Sequence, residues 1–253
     1  MHYQIDLNSD LGESFGAYKL GNDAEIIQYV TSANIACGWH AGDPMVMDRT
    51  VKAAAARGVA VGAHPGYPDL MGFGRRKMTL SPLETKNYVK YQIGALWAFA
   101  KSEGLKLQHV APHGSLGNLC QYDRETSRAI CEAVYEIDPS IMIYYCAGAV
   151  LGEEAKKLGL TAKSEIFADR AYMDDLSLVP RSMPGAMITD EDIAIARCIR
   201  MVKEGKVTSL NGKELDIRGD TLCVHGDGAK ALAFVEKIRA AFTAEGIEIR
   251  NFQ

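Results

Sequence analysis

The sequence predicts an α/β fold, a (β/α) barrel of about seven parallel strands, on three observations. Short β-branched or aromatic segments alternate with helical ones, the pattern of βα units and a parallel sheet. The 253 residues match the roughly 250 typical of one such barrel. Four of the six histidines, His40, His64, His113 and His225, close short apolar runs in glycine-rich, helix-starting sequence. In a parallel α/β sheet such positions gather at one edge, where ligand sites lie.

Taken in order, strands are expected at 3–8, 33–37, 59–63, 109–113, 141–146, 162–168, 221–225 and 247–252. The helices between them carry recognisable starts. Asp43-Pro44 pairs a capping carboxylate with proline at the first helical position, and Ser81-Pro82 with Glu84 makes a capping box; Asp123 and Thr189 are further expected caps. Asn211-Gly212 between alternating residues predicts a small β-hairpin at 207–217, outside the barrel proper. With no linker or composition break, residues 1–253 read as one domain.

Composition narrows the function. A hydrophobic fraction of 47%, 24% charged residues and a net charge of −4 are ordinary for a soluble globular chain and give no reason to expect a nucleic-acid partner. The six cysteines form no CxxC pair, which argues against a zinc ribbon or disulfide framework. With no signal-like start and no apolar run long enough for a bilayer, a cytoplasmic location is expected.

Each polar cluster has a bland and a functional reading. In DLNSDLGE, Asp6 and Asn8 alternate with Ile5 and Leu7, so Asp6, Asn8 and Asp10 form one column facing the barrel interior. Carboxylates are rarely buried unless paired, which favours a role for Asp10; Glu13 is balanced between site and turn. His40 lies in a turn before a capped helix, and Asp43 reads as the cap alone. His64 opens a long loop at 62–76, a length that points to function, with Arg75 and Arg76 able to reach a carboxylate or phosphate. His113 follows Ala111 at period two, whereas His109 starts its strand at the far end and reads as structural. Glu165, Asp169, Arg170 and Arg181 belong to a second long loop. The G-x-G-x-x-A match at Gly226, Gly228 and Ala231 has too little chain after it for a dinucleotide fold, and serves as a turn presenting His225 and Asp227.

The segments DLNSDLGESFG, SANIACGWHAGDP, GAHPGYPDLMGFGRR, PHGSLGN, EIFADRAY, LVPRSMPGAMI and CVHGDG, in this order over almost the whole chain, resemble the LamB/YcsF family. The resemblance implies a glycoside hydrolase/deacetylase-like barrel. It also implies ATP-coupled opening of the 5-oxoproline lactam to L-glutamate, together with subunits B and C of a 5-oxoprolinase. Lactam hydrolysis needs an activated water, a stabilised oxyanion and a protonated leaving nitrogen. In that reading Asp10 or His64 is the general base, and His113 and His225 polarise the carbonyl or protonate nitrogen. Asn8, His40, Arg75, Arg76, Asp169, Arg170 and Asp227 bind substrate. The chain departs from the family pattern at Ala111 and Gly117, where lysine and tyrosine are expected; the lysine would point into the barrel beside His113, so a cation is missing there. Two other readings stay open: a metal-dependent amide hydrolase or deacetylase-like enzyme on another substrate, with Asp10, His40 and His64 holding a divalent ion, and a non-catalytic binding subunit.

Overall fold

The computed structural model describes residues 2–224 and 231–252. Strands β1 (Tyr3–Leu11), β2 (Ser32–Ala36), β3 (Ala60–His64), β4 (Leu107–Val110), β5 (Met142–Cys146) and β6 (Ala162–Phe167) each pair in parallel with the next. Two short strands, β7 (Lys206–Thr208) and β8 (Glu214–Asp216), pair antiparallel as the hairpin around Gly212. Then β9 (Thr221–Cys223) pairs with both β6 and β1, closing a seven-stranded barrel. The expected last strand is shorter, β10 (Ile247–Ile249), and lies outside the ring: it pairs with Tyr3–Ile5, and β9 takes over that edge of β1 at Asp6.

Helices α1 (Asp23–Ile26), α2 (Pro44–Ala55), α3 (Pro82–Ser102), α4 (Gly114–Leu119), α5 (Arg124–Ile137), α6 (Val150–Lys157), α7 (Glu191–Lys203) and α8 (Ala231–Ala244) connect the strands. The Asp43 carboxylate accepts from Met45 N and Val46 N, Ser81 and Glu84 cap each other reciprocally, and Asp123 accepts from Thr126 N. The expected cap at Thr189 is corrected by one residue. Asp190 caps α7, its carboxylate accepting from Asp192 N and Ile193 N. The expected strand at 109–113 is also corrected at both ends, since β4 starts at Leu107, two residues before His109, and ends at Val110. Pro112 has no N–H to extend the ladder, yet the chain still runs along β3, with Ala111 N donating to Ala63 O and His113 N to Pro65 O. That continuation carries His113 to the mouth. His225 and Asp227 lie outside the described residues. Among those described, no helix is long and apolar enough to cross a membrane.

Outside the strands, apolar side chains such as Ile5, Leu7, Ile35, Ile93 and Ile130 make an ordinary helix-on-sheet core. The ring interior is different. Asp6 is fully buried and accepts from the hydroxyls of Thr31, Ser32, Thr221 and Tyr144. The Asn8 amide donates to Thr221 and Glu165, and the Asn34 amide donates to Asn8 Oδ1 and Asp10 Oδ1. His109 lies flat on Tyr144, ring centroids 3.8 Å apart, and its Nε2–H donates to Asn34 Oδ1 over 2.7 Å. Buried polar groups of this kind are tolerable only when partnered. His109 is therefore built into the barrel floor.

The His109 ring occupies the space that a side chain at position 62 would need: a Cβ on Gly62 would come within 2.1 Å of Nε2. Gly62→Ala is expected to destabilise the fold by about 1–3 kcal/mol, the usual overpacking range, by forcing His109 off Asn34. A denaturant midpoint within error of wild type would contradict this packing.

Candidate active site

The site sits at the carboxyl ends of the strands. His64 is the last residue of β3, His113 caps α4 just beyond β4, and His40 lies in the turn between β2 and α2. Asp10 comes near the end of β1, and Glu13 just after it, past the turn at Gly12, whose φ is +72°. His40, His64 and His113 are buried. The rings of His40 and His113 stack with centroids 3.6 Å apart, and His64 meets both edge-on.

The polar contacts give each ring an orientation. His64 Nδ1–H donates to Ala111 O over 2.6 Å, and His113 Nε2–H donates to Phe73 O over 2.9 Å. Their other nitrogens, His64 Nε2 and His113 Nδ1, therefore face each other at 2.9 Å. Two lone pairs at that distance repel, so a proton or a cation must lie between them. Asp10 Oδ1 is 3.3 Å from His64 Nε2, and Glu13 Oε1 is 3.3 Å from His40 Nε2 and 3.8 Å from His113 Nδ1. Burial pulls the His64 pKa down, but the charge and hydrogen bond of Asp10 and the charge of Glu13 outweigh it, pushing it up to about 9. Burial, then the charge of His64, holds His113 down at about 3. His40 is held well below the usual range by burial and by the other two rings. These shifts favour a proton on His64 over one on His113 or His40, and the 2.9 Å approach aims it at His113 Nδ1.

These shifts set a stability optimum. His40, His109 and His113 bind a proton less readily folded than unfolded. Their contribution is present above the unfolded value of 6.5 and is lost as pH falls below it, toward about 3 for His109 and His113. His64 is raised, so its contribution is full below 6.5 and is lost as pH rises through about 9. Denaturant midpoints of the metal-free chain are expected to peak near neutral pH and fall on both sides. A midpoint that rises steadily with acidification would contradict the assignment.

The loop after β3 covers this cluster. Phe73 adopts φ +53°, which turns its carbonyl to His113, and its ring meets those of His40 and His113 edge-on. Gly74 follows at φ +63°, where a Cβ would lie 2.7 Å from that of His40. Arg75 stacks on Phe73, 5.0 Å from the ring centroid. Arg76, expected from sequence to bind substrate, has its guanidinium engaged by the buried Asp69 carboxylate, which also accepts from Gly72 N and Arg76 N. It straps the loop.

On the opposite side, the loop after β6 carries Asp169 and the buried Arg170. Asn8 is sealed inside the barrel beneath Asp10. At the two family departures, Ala111 is buried and supplies the carbonyl that orients His64, and a Cβ at Gly117 would lie 2.5 Å from Pro112 O. Tyrosine therefore does not fit at 117 without moving that backbone.

His40, His64, His113 and Glu13 each offer one ligand atom within 4.8 Å of the others, a set of three imidazoles and one carboxylate suited to zinc and similar divalent ions. The two backbone carbonyls behind His64 and His113 are the outer-shell partners that ligating histidines use. Sequence reasoning put Asp10 in this set; the geometry brings in Glu13 and His113 and leaves Asp10 against His64. The signal for Glu13 was its place after a glycine turn at the end of an inward-facing column.

The model of the LamB/YcsF family matches residues 5–253. A relative from Alkaliphilus metalliredigens, named as a subunit of 5-oxoprolinase, is 57% identical over 247 residues, covering 98% of this chain and 96% of that one. The crystal structure of a lactam utilization protein from Thermus thermophilus superposes with a TM-score of 0.93 at 51% identity, covering 98% of this chain and all of that one. The catalytic domain of a peptidoglycan N-acetylglucosamine deacetylase from Eubacterium rectale, 10% identical with a TM-score of 0.52 over 100% and 90% of the two chains, shares the fold alone.

Proposed function

The chain belongs to the LamB/YcsF family, and from that premise we propose that it works as one subunit of an ATP-dependent 5-oxoprolinase, a hydrolase that opens the lactam of 5-oxo-L-proline to L-glutamate with subunits B and C. The relatives' shared name and the lactam utilization protein support the substrate, and the word subunit in that name supports assembly with partner chains. The observation that carries the chemistry is the approach of His64 Nε2 to His113 Nδ1, at 2.9 Å, and to Asp10 Oδ1, at 3.3 Å, at the barrel mouth. We take the cytoplasm as its compartment, in keeping with six free cysteines.

In the reaction, water adds to the ring carbonyl, the C–N bond breaks and the leaving nitrogen takes a proton. ATP, held by the partner subunits, would supply the activation: its terminal phosphoryl group would pass to the carbonyl oxygen with ADP leaving, and would be released as phosphate as the ring opens. His64 holds its proton at neutral pH and is suited to donate it to nitrogen, while the Asp10 carboxylate beside it accepts a proton from the attacking water. Arg75, stacked on Phe73 beside the histidines, and Arg170 across the mouth supply positive charge for the acidic substrate. On the resemblance alone, His225 is assigned to polarising the carbonyl or protonating nitrogen, and Asp227 to binding substrate.

The donor set also fits a divalent metal. Glu13, His40, His64 and His113 would hold it, and it would supply Lewis-acid polarisation of the amide carbonyl. The fit rests on His64 Nε2 and His113 Nδ1 facing each other while their other nitrogens are committed to backbone carbonyls; an ion there would take the place of the His64 proton, so metal and the acid role of His64 are alternatives.

Glutamate release from 5-oxoproline with ATP, assayed with the chain alone and with both partner subunits, tests the reading. Release is expected from the full assembly; an assembled complex that releases none would overturn it.

A further inference from the structure

We propose that Arg170 is the carboxylate-binding residue of the mouth, so that the site selects small cyclic amides carrying an acid group over uncharged ones. The lactam half of this ligand rests on the functional reading above; the acid half rests on Arg170 itself.

Arg170 is only 7% exposed. One terminal N–H donates to Val179 O over 2.6 Å, yet its Nε is buried with no hydrogen-bond partner among the described residues. Just one other buried side-chain polar atom shares that condition there, His40 Nδ1, which packs against Gly66. A structural arginine is satisfied by carbonyls, as neighbouring Arg197 shows by donating to Ala168 O and Arg170 O. Arg170 keeps an N–H edge in reserve. The Nε and terminal N–H of a guanidinium form a planar fork that matches the two oxygens of a carboxylate. Burial, then the charge of Arg181, pulls the Arg170 pKa down, and Asp169 acts the other way.

Its position is fixed rather than adventitious. The loop after β6 has a small apolar core of Ala171, Val179 and Ala186 and is tied by Ala171 N to Ala186 O, Val179 N to Ala171 O and Ile188 N to Asp169 O. It leaves the same barrel edge as the histidines. Only β9 separates β6 from β1, a span of about 10 Å at ordinary strand spacing. Cys223 at the end of β9 feels the charges of both Asp10 and Asp169. In this proposal a ligand whose carboxylate sits on Arg170 spans β9 to place its ring at Asp10 and His64.

The test is calorimetric titration of the full-length chain with 5-oxoproline and with 2-pyrrolidone, the same ring without the acid. Wild type is expected to prefer 5-oxoproline. Arg170→Gln should weaken 5-oxoproline binding about 10- to 150-fold, the worth of a hydrogen bond to a charged group, and leave 2-pyrrolidone unchanged. Arg170→Lys keeps the charge but not the fork and should lose part of the preference; it decides the matter if circular dichroism shows that the glutamine variant does not fold. A wild type without preference, or variants that keep it, overturns the proposal. Glutamate release by the complex is read separately, so loss of that activity with an Arg170-dependent preference intact would reject the functional reading and not this one.

Discussion

His64→Ala is expected to lower glutamate release by the assembled complex by about 10²- to 10⁴-fold, the usual contribution of a positioned acid or base. His64 is buried, its Nδ1–H is committed to Ala111 O, and its Nε2 faces both His113 and Asp10. Alanine removes the proton that the leaving nitrogen needs, and neither His40 nor His113 replaces it, because burial keeps both neutral. Asp10→Asn should have a related effect by a different route: with the carboxylate gone, the His64 pKa falls from about 9 and the proton is lost nearer neutrality. If the two act as a unit, the double variant is no worse than His64→Ala. Circular dichroism separates this from unfolding, and a folded His64→Ala variant with near-wild-type turnover would reject the role.

The second large effect concerns metal binding. One divalent ion per chain is expected, with His40→Ala or His113→Ala weakening it more than about 100-fold, since even outer-shell losses cost 10- to 100-fold. Asp10→Asn, outside the ligand set, should weaken it far less. Because the ion displaces the His64 proton, affinity should rise with pH. At a metal concentration of about 100 Kd the chain should gain about 2.7 kcal/mol in stability. Titration calorimetry and thermal unfolding measure both. Unchanged affinity in a His40→Ala, His113→Ala double variant would move the ion elsewhere.

How far the sequence reached differs between the fold and the site. The barrel was legible because strand and helix periods alternate, and because capping signals such as Ser81-Pro82 with Glu84 act locally. Errors fell where a neighbour decided the outcome. Asp190 competed successfully with Thr189 for the α7 cap, and Pro112 ended β4 early. Within the site, His40, His64 and His113 could be grouped from their places at strand ends; His109 was set apart as the first residue of its strand, whereas β4 starts at Leu107 and it is the bond to Asn34 and the stack on Tyr144 that hold His109 in the floor. Arg76 could not be separated from Arg75 in sequence, because nothing local shows that Asp69 folds back seven residues to hold one and not the other. Glu13 was undecided for the same reason: its approach to His40 depends on the backbone reversal at Gly12 and on a loop 27 residues away. Contacts that span loops are set by tertiary packing, which no window of sequence contains.

The proposed reaction requires the lactam to enter the histidine mouth, and histidine ¹⁵N resonances of the full-length chain titrated with 5-oxoproline test this most directly. Signals of His40, His64 and His113 are expected to move together, while the floor residue His109 and the exposed His2 stay in place. Saturable 5-oxoproline binding that leaves His40, His64 and His113 unmoved would contradict it.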